Sequence, residues 1–177
     1  ELPLTLGRIL RSLGAILFFL LSCVFIVPAA SLYFIAGPVD ERKKLRYHRF
    51  LQRLSAFIIR HVPGTRFSWS NPHGEDFSRP AVMISNHQSH LDVMAAMMLT
   101  PKLIIMTNDW VWNNPFYGKL IHLAEFYPAS DGYDRNLERL KGLVERGYSI
   151  LVFPEGTRNP DCRSVQRFHR GAFTLAA

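Results

Sequence analysis

At 177 residues the chain is long enough for one domain with a real core and hardly for two. A net charge of +7 calls for an acidic partner: nucleic acid, anionic lipid or a phosphorylated substrate. Two cysteines in unlike surroundings, Cys23 in an apolar run and Cys162 in a polar loop, make no disulfide framework and fit a reducing compartment. The chain starts at Glu1 and stops at Ala177 just as a helix begins, and it reads as a piece of a longer polypeptide.

From Leu13 to Gly37 no residue carries charge, and such a run is a transmembrane candidate. It continues through Leu32, Tyr33, Phe34 and Ile35, too far for the core of a cleaved signal peptide. Pro28, inside the run, is expected to kink the helix or break it in two. The segment therefore either spans once or dips in and returns. Arg8 and Arg11 precede it; Arg42, Lys43, Lys44, Arg46, Arg49 and Arg53 follow. The heavier cluster lies on the C-terminal side, which puts the body of the protein on the cytoplasmic face. In residues 41–61, Leu45, Phe50, Leu51, Leu54, Phe57 and Ile58 recur at helical spacing among cations. That pattern suits a helix lying in the lipid headgroups, or one packed on a core with its cations solvated. Pro63-Gly64 ends it, dividing membrane-associated helices over 1–62 from a folded body over 63–177 that is cut short at its C-terminal end.

The body reads as alternating strands and helices. Residues 65–70 alternate Phe67 and Trp69 with polar residues, a half-buried strand, before a turn at 71–74. Residues 81–85 form a buried strand, 90–99 a helix with Ser89 at its N-cap, and Leu103–Met106 a second strand. A helix follows over about 115–123, a short strand at Phe126-Tyr127, and a helix over 134–146 ended by Gly147. Tyr148–Phe153 is the clearest buried strand. The alternation predicts an α/β sheet covered by helices, whose ligands sit beyond the carboxyl ends of the strands.

Two segments carry chemistry, and each follows a strand. In the first, His87 leaves a strand end and Asp92 falls in the first turn of the next helix. The carboxylate can fold back to Nδ1, leaving Nε2 to act as a base, and the positive end of the helix attracts its charge. By itself a histidine five residues before an aspartate is common, and His90 is its decoy. His87, His90 and Asp92 also read as metal ligands, but no further ligand cluster has recognisable spacing, so no metal is assigned. The second segment, Phe153-Pro154-Glu155-Gly156-Thr157-Arg158, is a strand followed by a glycine turn and an arginine. It reads as an anion site or as a surface turn in which Arg158 pairs with Glu155.

Together, NHQSHLD and FPEGTR resemble the glycerolipid acyltransferases, the family of 1-acylglycerol-3-phosphate and other lysophospholipid acyltransferases, over roughly Pro80 to Ala177. The family's H-x4-D motif is matched by His87 and Asp92, and FPEGTR is matched in full. The resemblance implies a helix-covered mixed sheet of the glycerol-3-phosphate acyltransferase type, preceded by membrane-associated helices. It also implies transfer of a fatty acyl group to the hydroxyl of a lyso-lipid, in phospholipid biosynthesis. His87 is then the base and Asp92 orients it, while Glu155, Gly156, Thr157 and Arg158 hold the acceptor and its phosphate. No cofactor is bound. The donor is a thioester of acyl-carrier protein or coenzyme A, and the other partners are the lyso-lipid and the bilayer, here the cytoplasmic face of a bacterial inner membrane.

Two positions depart from the family. The basic residue expected after the second strand is replaced by Met106-Thr107-Asn108-Asp109, and the arginine expected to close the short strand is absent, with Arg135 further on as its candidate replacement. Both weaken the case for lysophosphatidate and bring aminoacyl lyso-lipids into view. Other classes explain less: a non-catalytic lipid-binding module has no need of a base, a metal-dependent lipid hydrolase lacks ligands, and nucleic-acid binding does not place cations beside a membrane segment.

Overall fold

Helix α1 (Leu6–Ile35) is the apolar run, and it is unbroken. The computed structural model describes residues 5–61, 66–131, 133–159 and 164–176; Cys162 and Pro63-Gly64 lie outside them. Pro28 sits inside α1 without dividing it, because a proline removes one N–H bond from a ladder of some thirty residues that continues on both sides. At 1.5 Å per residue the helix is about 45 Å long, enough to cross a bilayer. Little of its apolar window, Ile9–Ile35, is buried inside the protein.

Helix α2 (Glu41–His61) follows α1 after a short turn and packs on the helix over His90–Met97. Lys43 makes that turn: its Nζ donates to the carbonyls of Phe34, Ala36 and Gly37 at 3.3, 3.3 and 3.0 Å, capping the C-terminal end of α1. It is 7% exposed, so it is not one of the cations available to lipid. Lys44 is likewise engaged, pairing with Glu125 at 2.6 Å. The face of α2 that packs on the body carries Lys43, Tyr47, His48, Leu51, Ser55 and Ile59. Phe50 and Phe57 are exposed. Beside them Arg42, Arg46, Arg49, Arg53 and Arg60 form an exposed stripe, since steps of three, four and seven return to one side of a helix.

Among the described residues the sheet has four strands: β1 (Val82–Ile84), β2 (Leu103–Thr107), β3 (Tyr127–Pro128) and β4 (Ser149–Val152), in the order β1-β4-β2-β3. Met83 pairs with Leu151, Ile104 with Ile150, and Met106 with Tyr127. A mixed sheet was the expectation; over the described residues every pairing is parallel. Parallel strands covered on both faces are apolar throughout, and β4 is buried along its whole length.

The connecting helices are α3 (His90–Met97), α4 (Asp109–Trp112), α5 (Gly118–Leu123), α6 (Tyr133–Glu145) and, after β4, α7 (Gly171–Ala176). Gly147 ends α6 at φ +85°, its N–H bonding the Val144 carbonyl at 2.8 Å. One apolar cluster runs from Ala30, Tyr47 and Leu51 of the first two helices to Ile104, Ile105, Leu140, Leu143, Ile150 and Leu151.

One local expectation fails, and one helix had none. Residues 66–70 form no strand: Phe67 and Trp69 are 41% and 56% exposed, and among the described residues no strand pairs with them, without which alternation has no ladder to join. Helix α4 was not foreseen; it exists because Asn108 Oδ1 accepts from the Val111 N–H at 2.9 Å and caps it.

Candidate active site

Strands β1 and β4 lie side by side although some 68 residues separate the loops that follow them. Their carboxyl ends therefore open next to each other, and NHQSHLD and FPEGTR leave the sheet as neighbours. His87 follows β1, and its Nδ1 lies 3.2 Å from Asp92 Oδ2. The same oxygen accepts from the backbone N–H groups of Gln88 at 2.6 Å and Ser89 at 2.7 Å. Ser89 is the N-cap of α3 and Asp92 its N3 residue, so the two form a capping box. One carboxylate thus starts the helix and holds the imidazole.

With Nδ1–H given to Asp92, Nε2 is the free, basic nitrogen. The side chains are 16% and 27% exposed, so the pair is shielded yet open to a substrate. His90 has no hydrogen bond to Asp92 Oδ2. It is exposed at the start of α3, its ring 6.2 Å from Trp110 in a stacked arrangement. Partial burial, then the neighbouring Arg158 and His87, push its imidazole below the ordinary value.

The second segment wraps the histidine from behind. The His87 ring stacks on Phe153 with centroids 4.3 Å apart, its backbone N–H donates to Glu155 Oε1 at 3.2 Å, and its carbonyl accepts from the Asn159 N–H at 2.9 Å. Glu155, expected at the acceptor, is 3% exposed; its second oxygen, Oε2, accepts from the Gln166 N–H at 3.0 Å. It makes no ion pair with Arg158. Gly156 takes φ +67°, the left-handed region, and a Cβ there would lie 3.2 Å from the His169 ring. Gly156, Thr157 and Arg158 are exposed, and Arg158 forms no ion pair among the described residues. The side chain of Arg135 lies outside the described residues; its backbone belongs to α6.

After β2, where a cation was missed, the chain is committed to structure: Asn108 caps α4, and Asp109 Oδ1 accepts a hydrogen bond from the Ser130 hydroxyl. An aromatic series that sequence reasoning did not single out runs from α1 toward the site. Phe19 meets Tyr117 edge-on at 5.6 Å, Tyr117 meets Trp110 at 6.3 Å, and Trp110 stacks on His90. Nothing local marks these residues, since three separate elements supply them. Phe153 had a signal, as the first residue of its motif. Asn159, one residue beyond the motif, had none.

The Acyltransferase family model matches residues 66–177, a span that includes both segments. The chain belongs to the Acyltransferase family. It is 29% identical over 141 residues to the chloroplastic 1-acyl-sn-glycerol-3-phosphate acyltransferase BAT2 of Brassica napus, covering 77% of this chain and 41% of that protein. It is 32% identical over 131 residues to human 1-acyl-sn-glycerol-3-phosphate acyltransferase alpha, covering 70% of this chain and 46% of that one. The chain thus spans less than half the length of these relatives. The crystal structure of the 1-acyl-sn-glycerophosphate acyltransferase PlsC of Thermotoga maritima superposes with a TM-score of 0.62 at 19% identity, over 97% of this chain and 71% of that one. At that identity the likeness concerns the fold, which this family member therefore shares.

Proposed function

We propose that this acyltransferase-family chain moves a fatty acyl group from a thioester, of coenzyme A or acyl-carrier protein, to the hydroxyl of 1-acylglycerol-3-phosphate or a close lyso-lipid. The carrying observation is His87, held at Nδ1 by Asp92 and open at Nε2, beside the exposed Arg158. The hydroxyl gives its proton to Nε2 as its oxygen attacks the thioester carbonyl. The C–S bond then breaks, the imidazolium returns the proton to the departing sulfur, and ester and free thiol leave. Asp92 stabilises the transient imidazolium. Arg158, with the Gly156 and Thr157 backbone, binds the acceptor phosphate through its planar fork. Arg135 is a further candidate contact. The acceptor class is supported by the printed names of the relatives.

The reaction takes place at a membrane. Helix α1 turns Leu17, Phe18, Leu21, Val24 and Phe25 outward, a face suited to lipid tails. The arginine stripe of α2 with Phe50 and Phe57 suits the headgroup layer. The proposed site is the cytoplasmic face of a bacterial inner membrane.

The test is to reconstitute the protein in vesicles, supply a labelled acyl thioester with a panel of lyso-lipids that includes aminoacyl lyso-lipids, and identify the product by mass spectrometry. His87→Ala should cut turnover about 10²–10⁴-fold, the usual contribution of a positioned base. Full activity in that variant would sink the mechanism. Arg158→Ala should raise the acceptor KM with little change in the donor KM; an unchanged acceptor KM would point to a phosphate-free lipid.

A further inference from the structure

We propose that Glu155 is a positioning residue for His87 rather than a contact for the acceptor, an inference that rests on the reading of His87 as the base. Its carboxylate is buried, and each oxygen is already occupied by a backbone donor from a different segment: the His87 N–H at 3.2 Å and the Gln166 N–H at 3.0 Å. An acceptor phosphate would meet a carboxylate there, and a glycerol hydroxyl would find only the 3% of Glu155 that reaches the cavity it lines with Thr157, Gln166 and His169.

The geometry of the histidine gives Glu155 its task. On one side the His87 N–H reaches Glu155; on the other the His87 carbonyl accepts from Asn159, four residues further along the same turn. The ring between them stacks on Phe153 of that turn. Where the imidazole sits is thus set by residues 153–159, and Asp92 sets how it is rotated. The turn is held in place by the next segment: the Gln166 N–H bonds Glu155 Oε2, and the His169 N–H bonds the Pro154 carbonyl at 2.8 Å. The Glu155 carboxylate joins the two motifs and the 164–170 segment at one group, and Asn159 adds a second tie, from its N–H to the His87 carbonyl and from its side-chain amide to the Ser164 carbonyl. A carboxylate suits the place because it offers acceptors on both oxygens; an amide of the same shape turns one of them into a donor facing an N–H.

The test is Glu155→Gln, with kcat and acceptor KM measured in vesicles, alone and combined with His87→Ala. Misplacing a catalytic group by about 1 Å can cost up to roughly 10²-fold, so kcat should fall between about tenfold and a hundredfold while the acceptor KM stays within about twofold. In the His87→Ala background the same change should cost almost nothing further, because a residue that acts through the imidazole has nothing left to position. A raised acceptor KM, or an undiminished loss in that background, overturns the proposal and returns Glu155 to the acceptor site. If Glu155→Gln does not fold, Glu155→Asp carries the test, since it keeps two acceptor oxygens and shortens their reach by one methylene. Its kcat should fall at unchanged KM, and a wild-type kcat or a raised KM overturns the proposal. Failure of the His87 reading would be seen separately, as an active His87→Ala single variant.

Discussion

Replacing Asp92 by Asn separates the two jobs of one carboxylate. Asp92 Oδ2 accepts from Gln88 N–H, Ser89 N–H and His87 Nδ1 at 2.6, 2.7 and 3.2 Å. An asparagine keeps one acceptor oxygen and can still cap α3, at about half the strength of a charged acceptor. The cap loss should cost about 1–2 kcal/mol of stability, a fall of a few °C in Tm for a chain of this length. The catalytic loss is larger. When Nε2 takes the hydroxyl proton, the imidazolium faces a carboxylate about 4 Å away between charge centres, an attraction of about 4 kcal/mol at an effective dielectric of 20. Partial exposure of both side chains screens it to roughly 2–4 kcal/mol. Turnover in Asp92→Asn should therefore drop about 30- to 1,000-fold. The assay pairs initial rates in vesicles with thermal unfolding of the same preparation. A Tm that falls while kcat stays within about threefold of wild type would make Asp92 a helix cap alone, and the orienting role would be refuted.

Three further outcomes follow from the geometry. Gly156→Ala forces a side chain into a left-handed backbone position against the His169 ring, and should lower unfolding stability by about 1–2 kcal/mol; an unchanged melt would mean the turn relaxes freely. Stability should also depend on pH through His48, which burial, opposed by Glu125 and Glu41 and aided by Lys44, holds below its ordinary value. A folded pKa below the unfolded value of about 6.5 means that the unfolded chain binds the extra proton, so stability is full above about pH 6.5 and is lost as pH falls through it toward the folded pKa. Denaturant titrations across that range should show the loss in wild type and a weaker one in His48→Phe; equal slopes refute it. Replacing Arg46, Arg49 and Arg53 together by Ala should weaken binding to vesicles rich in anionic lipid by about 10²-fold, at about 1 kcal/mol per cation, and hardly affect binding to neutral vesicles. Equal losses on both would show that the stripe does not meet lipid charge.

Much of the architecture is legible without coordinates. The run 13–37 is plainly helical and apolar, although Pro28 left open a break that the unbroken α1 does not show, and 133–145 has leucines at helical spacing closed by a left-handed glycine. The buried strands at 103–107 and 149–152 are equally plain, because two-sided burial confines polar residues to their ends, Thr107 and Ser149. Asp92 is five residues from His87 and just inside a helix start, so local geometry alone brings them together.

Tertiary structure decided the rest. Insertion of β4 between β1 and β2 makes neighbours of His87 and the 153–159 turn, and no spacing rule encodes that strand order. The same holds for charge. Lys43 and Lys44 look like the arginines around them, yet one caps α1 and the other pairs with Glu125, because they lie where α2 starts against the end of α1 and the body. Glu155 looks like a site residue, and the turn buries it. Sequence names the groups able to do chemistry; which of them face the substrate depends on the packing of segments far apart in the chain, since burial and hydrogen-bond partners are properties of the assembled fold.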